Sequence, residues 1–251
     1  MTLHLYGLLI GLGIVLGLLA AQKAQKKLGQ ANSKYLQVNL EQLWLWLFLP
    51  ALVGARFYHA IDYWVFYSQN PVQVFYVWQG GLAIYGAILG GLLGLLAYTE
   101  VKKKEQLLIY TLDLLALALP LAQAMGRLGN FFNQELYGRP TSLPWGIYIN
   151  PENRISQFLQ SNYFHPLFAY EAILNLVLFG FLWWQVDKKR KAGFWTGVYL
   201  IGYGVIRFGL EYMRIEPWQL VFLTTAQWFS LLFIIAGIFI LLKPSRHQAQ
   251  L

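Results

Sequence analysis

Cysteine is missing from all 251 residues of this chain. Its absence excludes disulfides, thiolate metal sites and any cysteine nucleophile of the protein's own, while saying nothing about redox compartment. Charge is scarce as well: 12% of residues are charged, against the ~25% usual in soluble domains. Histidine occurs four times, and His4, His59 and His247 show no metal-ligand spacing. No internal repeat of the kind built into many transporters is present. The N-terminal tetrapeptide Met1-Thr2-Leu3-His4 lacks Lys and Arg, and basic residues follow the first apolar run instead of preceding it. That order predicts a retained helix, not a cleavable signal peptide.

What remains is apolar and aromatic. The chain is 57% hydrophobic, with 10 Trp, 16 Tyr and 17 Phe, and its mean hydropathy is +0.45. These values predict an all-α polytopic membrane protein, a single integral membrane domain over residues 1–251. At about 20 apolar residues per spanning helix, seven transmembrane helices are expected at 3–22, 43–63, 81–99, 107–126, 166–186, 194–213 and 222–242. Arg56, His59 and Asp62 interrupt the second. Gly86, Gly90, Gly91 and Gly94 in the third suit close helix packing. The longest connection, 127–165, holds three prolines and a β-like patch at 145–149; it reads as a small ordered periplasmic cap. The aromatic segment 64–80 reads as an interfacial arm.

Lysine sets the orientation. All eleven lie after the first span (Lys23, Lys26, Lys27, Lys34), the third (Lys102, Lys103, Lys104), the fifth (Lys188, Lys189, Lys191) and the seventh (Lys243). With seven spans these places share one side, which the positive-inside bias makes the cytoplasm, leaving the N-terminus outside and the C-terminus inside. The net charge of +8 is therefore a topology signal near anionic lipid, and no nucleic-acid partner is expected.

Arginine sorts differently. Arg190 and Arg246 join the cytoplasmic lysines, but Arg56, Arg127, Arg139, Arg154, Arg207 and Arg214 map to outer span halves or outer loops. A planar, permanently charged fork of donors suits bidentate phosphate recognition, so these six read as a phospholipid headgroup site, with structural ion pairs the competing reading for each. In the sixth span Tyr203, Arg207 and Glu211 recur every four residues on one helical face. The run Gly126-Arg127-Leu128-Gly129-Asn130-Phe131-Phe132-Asn133-Gln134-Glu135-Leu136-Tyr137-Gly138 packs polar and small residues where lipid meets water. Polar groups there usually face protein or substrate.

That thirteen-residue run resembles the signature of the prolipoprotein diacylglyceryl transferase family, the enzymes that begin bacterial lipoprotein maturation. Leu5-Tyr6-Gly7-Leu8-Leu9, Gly54-Ala55-Arg56-Phe57, Gly80-Gly81-Leu82-Ala83-Ile84-Tyr85-Gly86, Asp113, His165-Pro166 through Tyr170-Glu171, and Tyr203 to Glu211 are similar to further blocks of the family, in order and over nearly the whole chain. The resemblance implies transfer of a diacylglyceryl group from phosphatidylglycerol to the lipobox cysteine thiol of a preprolipoprotein, forming a thioether and releasing glycerol phosphate. It implies the bacterial cytoplasmic (inner) membrane as location, membrane lipids as surroundings, and no cofactor or metal. Arg127, Arg207, Glu135 and Tyr85 are its catalytic candidates. Tyr6, Arg56, Gly126, Gly129, Asn130, Asn133, Gly138, Tyr203 and Glu211 are its substrate-binding candidates, the glycines letting backbone approach the headgroup. Many members carry histidine at the place of Tyr85. A tyrosine of ordinary pKa near 10 is a poor base at neutral pH, so Tyr85 is expected to hydrogen-bond phosphate, and Glu135 to assist loss of the thiol proton. His165, before Pro166, is expected at a helix start. A divergent phospholipid-processing transferase and a non-catalytic lipid-binding or transport protein are the alternatives; polar groups gathered at one depth disfavour a transport path.

Overall fold

A computed structural model of the chain describes residues 5–101, 107–215 and 219–243; Lys102, Lys103, Lys104, Arg246, His4 and His247 lie outside them. Eight α-helices are described: α1 Leu5–Ala31, α2 Leu40–Asp62, α3 Trp64–Gln69, α4 Ile84–Val101, α5 Leu107–Asn133, α6 Leu167–Trp184, α7 Phe194–Leu210 and α8 Thr225–Leu242. Two hairpins complete the fold, β1 Ile147–Tyr148 with β2 Tyr163–Phe164 and β3 Gln219–Leu220 with β4 Leu223–Thr224, both antiparallel. The protein is an all-α polytopic membrane protein. Six helices (α1, α2, α4, α5, α6 and α8) are long and apolar enough to cross a membrane. At seventeen residues α7 is one shorter than the shortest of these, and a 3-10 turn over Glu211–Met213 extends it.

Two expected boundaries shift for a common reason. The fourth span was expected to end at residue 126, with the cap starting at Arg127, yet α5 runs on to Asn133. Likewise α1 continues past its lysines to Ala31. Intrahelical hydrogen bonds do not stop at the lipid boundary, and a helix ends only where capping or turn chemistry ends it. Behind Asn133 that chemistry is a tight turn with Gln134 at φ 51° and Leu136 at φ 52°. The connection between α5 and α6 therefore begins at residue 134.

The chain divides into two compact units, 33–111 and the combination of 1–32 with 112–251. In the first, α2 packs on α4 through glycines spaced by four. A Cβ on Gly86 would strike Gly54 O, one on Gly90 would strike Pro50 O, and one on Gly94 would strike Trp46 O. These glycines serve helix approach, as their spacing suggested. In the second unit Gly13 and Gly17 of α1 lie against Ala118 and Ala122 of α5, and Gly197 of α7 lies against Gly237 of α8.

At one end of the second unit, Lys27 pairs with Asp187 at 2.8 Å and Lys191 Nζ donates to Lys243 O at 2.6 Å. Lys27 thus reaches the segment after α6, and Lys191 of that segment reaches the end of α8. Asp113, fully buried in α5, accepts from Gly193 N at 2.7 Å, Thr196 N at 2.9 Å and Thr196 Oγ1 at 2.7 Å. It caps the N-terminus of α7, where the helix dipole favours an anion. The connection from residue 134 to α6 closes over a small apolar cluster of Tyr137, Ile149, Phe164 and Ile215. It is tied to the end of α7 by Arg139 N donating to Met213 O at 3.0 Å, and to the start of α6 by Gly138 N donating to His165 O at 2.8 Å.

Candidate active site

Three helices of the second unit converge their polar residues. Helix α5 brings Gln123, Arg127 and Asn130, and α6 brings Glu171 and Asn175. Helix α7 and its 3-10 extension bring Tyr199, Tyr203, Arg207 and Glu211. Apolar spans carry such groups only where protein or a ligand meets them. The spacings of four residues on α6 and α7 keep each set on one face.

The charges form a chain. Arg127 Nε stands 2.9 Å from Glu171 Oε2, Arg207 Nη2 stands 2.8 Å from Glu211 Oε2, and Arg214 Nη1 lies 3.6 Å from Glu211 Oε1. Both carboxylates are buried, with side chains 5% and 1% exposed, whereas Arg127 and Arg207 keep 28% and 18%. Arg127 Nε, beside Glu171, and Glu211 Oε2, beside Arg207, each lack an aligned hydrogen bond to that partner. The two contacts are ion pairs at short distance. Three guanidiniums against two carboxylates leave one uncompensated positive charge. A phosphodiester carries one negative charge.

Tyrosines line the same place. Tyr203 lies within hydrogen-bonding reach of Arg127 and stacks on Tyr199 at 5.8 Å, whose hydroxyl accepts from Gln123 Nε2 at 3.0 Å. Glu171 Oε1, Asn130 Oδ1 and both side-chain polar atoms of Asn175 are buried without a hydrogen-bond partner among the described residues. Native interiors rarely leave such atoms unmatched, and functional sites are where they gather. Beyond Asn133 the backbone turns back so that Glu135 N donates to Asn130 O at 3.0 Å. The Glu135 carboxylate then accepts from Asn133 Nδ2 at 3.2 Å, with Asn130 Nδ2 at 3.5 Å.

The family model of prolipoprotein diacylglyceryl transferase matches residues 1–243. A phosphatidylglycerol–prolipoprotein diacylglyceryl transferase of Fervidobacterium nodosum is 39% identical over 94% of this chain and 79% of its own length. The proteins of that name from Synechococcus elongatus (37% identical, covering 95% of this chain and 82% of theirs) and Nostoc sp. (39%, 94% and 83%) are similar to the same extent. The chain belongs to the prolipoprotein diacylglyceryl transferase family.

In this diacylglyceryl transferase family member, the structure brings Arg127, Asn130, Tyr203, Arg207 and Glu211 into one unit with the Asn133–Glu135 turn. Tyr85 and Arg56 belong to the other unit. Tyr85 stands in the first turn of α4, 55% exposed, with its ring 6.0 Å from that of Tyr58. Arg56 was expected among the headgroup contacts, but its nitrogens all donate to backbone carbonyls of residues 73–81. Arg154 behaves similarly in the connection between α5 and α6, donating to Ile149 O at 2.8 Å and Leu159 O at 2.9 Å.

The signature glycines differ from one another. A Cβ on Gly129 would meet Tyr6 Cδ2 at 2.7 Å, and one on Gly138 would meet Met213 O at 2.9 Å. Their space is taken by the protein itself, in contrast to the headgroup approach expected for them; a Cβ on Gly126 would meet nothing within 4 Å. As expected, His165 precedes a helix start: Pro166 is the N-cap of α6. The His165 ring shares the Tyr170 hydroxyl, at 3.1 Å, with Trp145 Nε1 at 2.7 Å.

Asn175 and Gln123 were not singled out from sequence, and Glu171 was named only as the end of a family block, with no role. The signal existed: an acid and an amide four residues apart inside an apolar span share one face. Their weight becomes evident only beside Arg127.

Proposed function

We propose that this chain transfers the diacylglyceryl group of phosphatidylglycerol to the lipobox cysteine thiol of a preprolipoprotein, the first step of bacterial lipoprotein maturation. The observation that carries this reading is the pair of partly exposed guanidiniums, Arg127 and Arg207, each backed by a buried carboxylate. A carboxylate behind an arginine holds the fork in place while its outward donors stay available to an anion. The single surplus charge of the cluster suits one phosphodiester.

In this mechanism Arg127 and Arg207 hold the phosphate. The substrate thiolate attacks the glyceryl C3 carbon; an S–C bond forms as the C–O bond to phosphate breaks. The electron pair leaves on glycerol phosphate, whose growing negative charge the two guanidiniums stabilise more strongly than that of the bound diester. Thiolate, not thiol, is the nucleophile, and Glu135 assists the thiol's loss of its proton, directly or by orienting a partner. Its turn contains two non-glycine residues at positive φ, a conformation that costs energy and concentrates at functional sites. Asn130 and Asn133 position headgroup hydroxyls together with Gly126. Tyr203 and Tyr6 complete the lipid site, Gly129 and Gly138 serving it by seating Tyr6 and the end of α7; for Tyr85 the family resemblance implies a hydrogen bond to phosphate. The nucleophilic sulfur arrives with the substrate, in keeping with a chain that has no cysteine.

Lysine sorting supports seven spans in the inner membrane, with the N-terminus and the cap outside and the C-terminus cytoplasmic. The lipobox cysteine emerges at that outer leaflet, on the side of the cap. The test is complementation of a strain depleted of its own transferase, with thioether product measured alongside. Wild type rescues and Arg127→Ala and Arg207→Ala do not; rescue by either alanine variant removes that arginine from the mechanism.

A further inference from the structure

We propose that Arg56 is a positioning residue rather than a headgroup ligand: it fastens the aromatic arm to α2 and so sets where Tyr85 stands at the start of α4. Arginine has five N–H donors, and five backbone carbonyls meet them here. Nε donates to Val74 O at 2.7 Å. Nη1 donates to Gly80 O at 2.7 Å and Gly81 O at 3.0 Å. Nη2 donates to Gln73 O and, at 3.4 Å, to Tyr76 O. The guanidinium lies over the Tyr67 ring at 5.3 Å, and Arg56 is 6% exposed. No carboxylate pairs with it among the described residues, in contrast to Arg127 and Arg207. With every donor engaged, a phosphate would have to break bonds that a buried charge needs.

The carbonyls it holds belong to two short 3-10 turns, Pro71–Phe75 and Val77–Gln79, and to the reversal after them. Gly80 at φ 87° and Gly81 at φ 70° make that reversal. A Cβ on Gly81 would meet Arg56 Nη1 and His59 Nε2, each at 2.6 Å. Two residues later Ala83 N donates to Ala55 O at 3.1 Å, and α4 begins at Ile84. The path from the Arg56 clamp to Tyr85 is therefore four residues long and bonded to α2 along the way. Lysine, with three donors on a point charge, cannot reproduce a five-carbonyl fork.

The catalytic half of this inference rests on the role given to Tyr85 under the proposed function; the fastening does not. The test uses full-length Arg56→Lys and Gly81→Ala, the second retaining every charge and carrying the test if the first does not fold. Transfer kinetics with phosphatidylglycerol are read beside the mobility of a nitroxide on Val72→Cys, a single-label site in this cysteine-free chain. Both variants are expected to lower kcat by about 10- to 100-fold while KM for phosphatidylglycerol stays within about twofold, and both to raise nitroxide mobility. A raised KM with kcat and mobility unchanged makes Arg56 a lipid ligand and overturns the proposal. Unchanged mobility in both variants removes the fastening. A wild-type chain without transferase activity whose arm loosens on Arg56→Lys sinks the proposed function and leaves the fastening standing.

Discussion

Arg127 Nε sits 2.9 Å from Glu171 Oε2, and the burial of the two partners is unequal: the carboxylate is 5% exposed and the guanidinium 28%. The acid anchors, and the base presents. A phosphate reaching this place meets a fork already oriented and already partly stripped of water, the condition under which charge-assisted hydrogen bonds act most strongly.

Glu171→Gln keeps the shape of the anchor and removes its charge. Arg127 then loses its orientation, and kcat/KM for phosphatidylglycerol should fall roughly 10- to 100-fold. Steady-state transfer to a lipobox peptide measures it. An enzyme of wild-type rate would show that Glu171 does nothing for Arg127.

Lysine at position 127 or 207 retains the charge but not the fork. Each single variant should lose about 100-fold or more in kcat/KM, since each replaces donors that the proposed mechanism sets against the leaving phosphate. Lysine variants within about threefold of wild type would reduce both sites to simple charge neutralisation.

Asp113 accepts three hydrogen bonds at the start of α7, the helix that carries Tyr203 and Arg207 at its other end. Asp113→Ala leaves the Gly193 and Thr196 amides uncapped in a buried place. It should destabilise the fold by about 3 kcal/mol, read as a lowered Tm in detergent. Asp113→Asn, which keeps an acceptor oxygen, should lose less. Equal Tm for alanine and wild type would dismiss the cap.

Gly129 has no room for a methyl group while Tyr6 stands against it. Gly129→Ala should therefore lower Tm, and Tyr6→Ala should relieve part of that loss, with a coupling of about 0.5–3 kcal/mol in a double-mutant cycle. Additive losses would mean that the two residues act separately.

For Tyr85, the phenylalanine variant should weaken transfer and the histidine variant should retain some. A Tyr85→Phe enzyme of unaltered rate would make the hydroxyl dispensable.

Much of the fold was readable in the chain because hydropathy is local. Residues 84–101 look like a spanning helix whatever surrounds them, and the four-residue glycine spacing there already implied a close neighbour. Helix ends were harder: α5 was expected to stop at the polar signature, but it stops at the Gln134–Leu136 turn. Polarity marks where a helix leaves lipid, whereas turn chemistry marks where it ends. The hairpin Gln219–Thr224 escaped notice, its second strand falling at the start of the span expected over 222–242, since a short apolar run does not distinguish strand from helix.

The six arginines set apart from the lysines divide along the same line. Sequence alone determined that six arginines stand apart from the lysines, and that Arg127 and Arg207 fall toward the ends of apolar runs, because charge placement against apolar runs is a one-dimensional property. Tertiary structure decided what each arginine holds. Arg127 and Arg207 meet carboxylates on α6 and at the end of α7, which leave donors free to face an anion, while Arg56 spends all five on carbonyls of the arm. Hydrogen bonds are short and directional, so which donors remain free depends on residues far away in sequence. Only folding brings them within 3 Å or so.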